Sequence, residues 1–122
     1  MNIFVVDDSA AMRMMVVRAL RQAGHSGKQI TQAEDGQIAY DKITGDMANI
    51  PDLILADWNM PNMTGIELLH ALNEKEIKTN FGFITTESTR EMRQAATDAG
   101  ANFLIAKPFT ADSIERALDS LS

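Results

Sequence analysis

The chain contains no cysteine, which excludes disulfides and thiolate metal sites and permits a reducing compartment. Basic residues are scarce: 11 Lys and Arg stand against 17 Asp and Glu, for a formal charge of −6. That balance argues against a nucleic-acid or anionic-membrane surface, both of which call for clustered cations. No apolar run approaches the roughly 18 residues of a membrane span, and the N-terminus lacks a signal-peptide pattern, so the expected location is cytoplasmic. No linker, low-complexity stretch or internal repeat interrupts the sequence. Its 122 residues fit one domain, 1–122, with no room for a separate output or catalytic domain. Nothing signals an obligate interface, and a monomer is expected.

What is present is an alternation of two kinds of segment. Ile3–Val6, Leu53–Ala56, Phe81–Ile84 and Phe103–Ala106 are continuously apolar, as expected of strands covered on both faces. Gln29–Ala33 is weaker, with only Ile30 and Ala33 apolar, and reads as an edge strand. Segments of helical period lie between them. The first carries Met12, Met15, Val16, Ala19, Leu20 and Ala23 and ends at Gly24; the second carries Ile38, Ala39, Ile43 and Met47 behind Asp35. The third follows Thr64 with Ile66, Leu69 and Leu72. Ser88-Thr89-Arg90-Glu91 reads as a capping box for the fourth, with Met92, Ala95, Ala96 and Ala99 before Gly100. Thr110 caps the fifth, with Ile114, Ala117, Leu118 and Leu121 inward. Strand and helix thus alternate five times, which predicts an α/β fold: a parallel sheet with helices on both faces.

The chemistry lies at the downstream ends of those strands. Asp7 and Asp8 close the first, Asp57 the third, Thr85 the fourth and Lys107 the fifth. In open α/β sheets ligands bind beyond the carboxyl ends of the strands, so these five side chains are expected to converge. Three carboxylates so close need either a retained proton or a bound cation. An oxygen-rich site suits Mg²⁺, which takes one or two carboxylates, keeps waters and accepts a phosphate oxygen. Lys107 supplies a point charge for a phosphoryl group and Thr85 a hydroxyl donor. Asp7 and Asp8 share one turn and are placed to share a cation. Asp57 comes from another strand, faces Lys107, and is the better nucleophile toward phosphorus. Asp35 and Asp52 read as a helix cap or solvated loop residues, and His25 and His70 as surface residues.

Four segments carry a family resemblance: Val5-Val6-Asp7-Asp8-Ser9, Asp57 through Gly65, Ile84-Thr85-Thr86-Glu87 and Ala106-Lys107-Pro108-Phe109. In them the sequence resembles the receiver domains of two-component response regulators, and within these the single-domain chemotaxis regulators. The resemblance runs from the first strand to the last helix. It implies a doubly wound (βα)5 flavodoxin-like fold with strand order 2-1-3-4-5. It implies that Asp57 accepts a phosphoryl group from a phosphohistidine of a sensor histidine kinase or phosphotransfer domain. Asp8, Asp57 and the backbone carbonyl of Asn59 become Mg²⁺ ligands, with Asp7 acting through a water. Lys107 pairs with the phosphoryl group, Thr85 is the switch hydroxyl, and the Lys107–Pro108 bond is cis. Asn59 and Glu87 stand where the family tunes hydrolysis of the acyl phosphate. The downstream effector, a flagellar switch or another protein, would read the surface of the fourth helix, fifth strand and fifth helix.

One position departs from the pattern. The family's rotating aromatic, three residues before the lysine, is Leu104 here; Phe103 is one residue off and is expected on the opposite face of the sheet. That weakens the expectation of a flagellar output and leaves a non-flagellar relay as the alternative. Other chemistries fit less well. An aspartyl phosphatase commonly needs a second acid two residues after the nucleophile, where this chain has Asn59, which transfers no proton. A nucleotide-binding module needs a glycine-rich first loop, whereas Asp7-Asp8-Ser9-Ala10 repels phosphate unless a cation intervenes. On the first helix, Ala10, Met14 and Val17 among Arg13, Arg18 and Arg21 are expected to form a docking face for the phosphodonor.

Overall fold

The computed structural model describes residues 2–25 and 29–121. Five parallel strands, β1 (Asn2–Val6), β2 (Gln29–Ala33), β3 (Leu53–Ala56), β4 (Asn80–Thr85) and β5 (Phe103–Ala106), form one sheet in the order β2-β1-β3-β4-β5. They alternate with helices α1 (Ala10–Leu20), α2 (Gly36–Thr44), α3 (Gly65–Glu74), α4 (Arg90–Asp98) and α5 (Ala111–Asp119). The predicted class, strand order and helix count all hold.

Side chains alternate across the sheet, and each face owns a core. Phe4, Val6, Ile54, Ala56, Phe81 and Phe83 pack under α2, α3 and α4 with Ala39, Leu68, Leu72 and Ala96. Ile3, Val5, Leu53, Leu55 and Ile84 pack under α1 and α5 with Val16, Leu20, Ile114 and Leu118. This two-sided cover is why the central runs are apolar without alternation. β5 differs from the expectation of full cover: as an edge strand it is only partly buried, and Ala106 is exposed.

Hydroxyl and carboxylate caps start the helices. Ser9, Asp35, Thr64, Thr89 and Thr110 each accept a backbone N–H three residues on. The fourth helix therefore begins one residue later than the capping-box reading from Ser88, because Thr89 takes the Met92 N–H itself. Left-handed Gly24 (φ 95°) and Gly100 (φ 94°) end the first and fourth helical segments as predicted.

The packing expectations for Met12, Met15, Val17, Met47 and Met92 need correction. Met15 is 52% exposed, whereas Val17 is buried. Burial depends on placement along the helix and not on angle alone: the buried residues of α1 begin only at Val16, in its second half. Met12 and Met92 are only partly buried. Met47 lies outside α2, in a short turn (Met47–Asn49), and is exposed. His70 is exposed as expected; the His25 side chain lies outside the described residues.

Candidate functional site

Hydrogen bonds carry the strand ladder one residue past the strand ends. Asp57 N–H donates to Val6 O (2.9 Å), Asp7 N–H to Ala33 O (3.1 Å) and Lys107 N–H to Thr85 O (2.8 Å). The backbone therefore fixes Asp7, Asp57 and Lys107 side by side at one sheet edge, next to Thr85, the last residue of β4. The three carboxylates and Lys107 come together, and Thr85 ends the strand between Asp57 and Lys107. Oxygens of Asp7, Asp8 and Asp57 lie within 4.8 Å of one another. Lys107 Nζ sits 3.2 Å from Asp7 Oδ2 and 3.5 Å from Asp57 Oδ2, bridging the first and third strands. Asp7 and Thr85 are buried, Asp57 is partly so, and Asp8 is exposed at the mouth. The Lys107–Pro108 bond is cis, as the resemblance implied.

The electrostatics are unbalanced. Three carboxylates face one ammonium, and the repulsion between the two shielded acids is worth on the order of 3 kcal/mol at an effective dielectric of about 20. Burial pushes the Asp57 carboxyl above its ordinary range; Lys107 pulls it back, and the Asp7 charge adds to the rise. Asp7 is restrained further, since its Oδ1 accepts the Ser9 N–H at 2.9 Å. The donor set is entirely hard oxygen with surplus negative charge, which fits Mg²⁺ and disfavours soft metals. Asp7, Asp8 and Asp57 are the side chains that would hold the ion.

The loop leaving Asp57 is tightly packed. Gly65 N–H donates to Trp58 O (2.9 Å), and a Cβ on Gly65 would lie 2.3 Å from Asp57 O, so only glycine allows this approach. The Trp58 ring lies 4.8 Å from that of Phe83, leaving the indole part-exposed beside the site, and Asn59 is exposed. Thr85 Oγ1 accepts a long bond (3.4 Å) from the Glu87 N–H. Leu104 packs into the core under α2, α3 and α4, and Phe103 into the opposite one, as the period of two requires.

Two features escaped the sequence. Arg13, assigned there to a docking face, donates through Nη1 to the carbonyl of Asp7 (2.6 Å) and through Nε to Gln32 (3.1 Å). Its position one turn beyond the Ser9 cap was the available signal. Asp35 is indeed the α2 cap, yet it is buried and also holds Asn62.

Comparison with known proteins gives a consistent picture. The model of the response regulator receiver domain matches residues 3–119. The chain is 38% identical over 124 residues to chemotaxis protein CheY-3 of Vibrio cholerae, covering 99% of this chain and 91% of that protein. It is 34% identical over 122 residues to a probable chemotaxis protein CheY of Rhizobium etli, covering 98% and 91%. Among solved structures, CheY4 of Vibrio cholerae superposes with a TM-score of 0.84 at 32% identity, covering 99% of this chain and 98% of that one.

Proposed function

We propose, from the premise that this chain belongs to the response regulator receiver domain family, that residues 1–122 form one receiver domain and a phosphorylation-controlled switch. Asp57 is the phosphoryl acceptor. The observation that carries this reading is the meeting of Asp7, Asp8, Asp57 and Lys107 at one edge of the sheet, with Thr85 beside them. A histidine kinase or a phosphotransfer domain is the donor. The Asp57 carboxylate forms an O–P bond as the P–N bond of the donor's phosphohistidine breaks, and the electron pair returns to the imidazole. Lys107, already 3.5 Å from Asp57, then pairs with phosphoryl oxygens, and the Thr85 hydroxyl turns toward them. Asp8, Asp57 and the Asn59 carbonyl, with Asp7 beside them, would hold Mg²⁺, which would supply neutralisation of the charge on both reactants. Rate enhancement is positioning plus neutralisation, which suits the loose transition state of phosphoryl transfer. Water later hydrolyses the acyl phosphate beside Asn59 and Glu87, so the domain assists its own phosphorylation and dephosphorylation without being a classical enzyme.

The docking face on α1 is narrower than the sequence suggested, since Val17 is buried; Met14, Met15, Arg18 and Arg21 remain exposed along the helix that leads away from the site. A downstream effector reads α4, β5 and α5 of a monomer in the cytoplasm. The chemotaxis relatives support motility control as the output. Leu104, in place of a rotating aromatic, favours as second reading a relay unrelated to flagella.

The test is phosphoprotein yield with acetyl phosphate. One phosphoryl group per chain is expected with Mg²⁺, none with chelator, and none in Asp57→Asn. Equal labelling of Asp57→Asn would overturn the assignment of the acceptor, and multiple turnover of a free phosphomonoester would revive a phosphatase.

A further inference from the structure

Asp35 is a buried acid that, among the described residues, has no cationic partner and no place in the chemistry above. As the cap of α2 it needs only one oxygen: Oδ1 accepts the Ile38 N–H at 2.8 Å. Its other oxygen, Oδ2, accepts from Nδ2 of Asn62 at 2.8 Å, in the loop between Asp57 and α3. Asn62 stands at φ 66°, a left-handed conformation that Asn tolerates better than most residues. The neighbouring residues make a second pin. Gly36 N–H donates to Met63 O at 3.2 Å, and a Cβ on Gly36 would come within 2.6 Å of that oxygen. The start of α2 thus grips the loop at 62 and 63, while Gly65 clasps it to Trp58 at its far end. Between the two grips lies Asn59, whose carbonyl the metal pocket needs.

We propose that the Asp35–Asn62 hydrogen bond is a positioning element for the metal pocket, holding the 58–64 loop so that the Asn59 carbonyl is set before the ion arrives. The proposal rests on the reading of the acidic cluster as a Mg²⁺ site. Asp35 touches neither ion nor phosphoryl group; it acts through Asn62. Groups that orient ligands from outside the coordination shell affect metal affinity strongly, and an unpinned loop must be ordered at the moment of binding.

The experiment is a Mg²⁺ titration of the full chain followed by Trp58 fluorescence, with thermal unfolding of the metal-free protein measured alongside. Asp35→Ser keeps a capping oxygen for Ile38 and gives up the reach to Asn62, without altering the loop backbone. Asn62→Ala removes the other partner. Each single variant is expected to bind Mg²⁺ about tenfold more weakly. The double variant is expected to be no weaker than either, because one shared bond is lost only once. Asp35→Asn with Asn62→Asp reverses the polarity of the bond and is expected to recover most of the affinity. A purely structural cap would lower the unfolding temperature and leave the Mg²⁺ midpoint in place. Affinities of Asp35→Ser and Asn62→Ala within twofold of the parent, or losses that multiply in the double variant, overturn the proposal alone. A parent chain that neither responds to Mg²⁺ nor takes up phosphoryl from acetyl phosphate overturns the metal-site reading, and the clamp's role with it.

Discussion

Asp57 is shielded from water, its side chain 11% exposed, and that burial raises its pKa above the 3.8 of a free aspartate; Lys107 opposes the rise and the Asp7 charge adds to it. Between the unfolded and folded pKa values the folded chain binds more protons than the unfolded one, so stability falls as pH rises through that window. Above the window the cost of the ionised acid is present in full. Asp57→Asn removes the charge at nearly constant shape. It is therefore expected to unfold at a higher temperature than the parent at pH 7 in metal-free buffer. The gap should shrink toward about pH 4 and on addition of Mg²⁺, which stabilises only the parent. Asp35 has the opposite sign. The Ile38 N–H holds its pKa below 3.8 against the effect of burial, with Asn62 and Gln37 helping, so its contribution is present above 3.8 and is lost as pH falls through the folded value. Asp35→Asn is expected to lower the unfolding temperature at pH 7 and to lose that effect on acidification. Calorimetry of Asp57→Asn at pH 7 and about pH 4, and of Asp35→Asn at pH 7 and well below the 3.8 of a free aspartate, checks the pair; shifts of the same sign at pH 7 would contradict the argument.

Elements were legible where one physical cause dominates. The three central strands are unbroken apolar runs because cover on both sheet faces demands it; the edge strand β2 tolerates less, and the edge strand β5 keeps an apolar run although it is only partly buried. Helix faces were less legible. Periodicity gives an angle around α1 but not how far the helix extends past the sheet, so Met15 was placed in the core and Val17 on the surface. The Ser88 reading failed because two hydroxyls compete for one cap, and Thr89 is the one that captures the Met92 N–H. Gly82 went unread, although it sits in the middle of β4. It pairs directly with Phe103, whose ring atoms lie 2.1–2.7 Å from where a Cβ at 82 would be. The ring covers the bare backbone of its cross-strand neighbour on the face under α1 and α5. Gly82→Ala is expected to cost about 1–3 kcal/mol in urea unfolding as the ring is forced aside. Combined with Phe103→Leu, most of that cost should vanish, giving a coupling of about 1 kcal/mol or more. A Gly82→Ala chain as stable as the parent would show that the ring has free room to move.

At the scale of the molecule, the site was legible because a parallel sheet brings its strand ends to one edge whatever the details of packing. Arg13 on Asp7 and Asp35 on Asn62 were not: the first needs a side chain of α1 to fold back onto the carbonyl of Asp7, and the second joins two loops 27 residues apart in sequence. The same global view bears on how the fold transmits a signal. Thr85 is buried, and the bond its hydroxyl accepts from the Glu87 N–H is long at 3.4 Å, so little is lost when the hydroxyl turns toward a new acceptor. Beyond it lies α4, which buries only Ala96 within the helix and is attached through small side chains. Such a helix slides at low cost, whereas β5 is held by its ladder to β4 and by Leu104 in the core. A bias of about 1.4 kcal/mol is enough to change the ratio of two conformers tenfold. Beryllofluoride with Mg²⁺, as a mimic of the phosphoryl group, is therefore expected to change amide exchange across residues 86–98 and leave 103–105 nearly unaltered. In Thr85→Ala the mimic should still bind while the response of 86–98 disappears. Equal responses in α4 and β5, or an undiminished response without the Thr85 hydroxyl, would mean that the signal travels by a route in which Leu104 takes part after all.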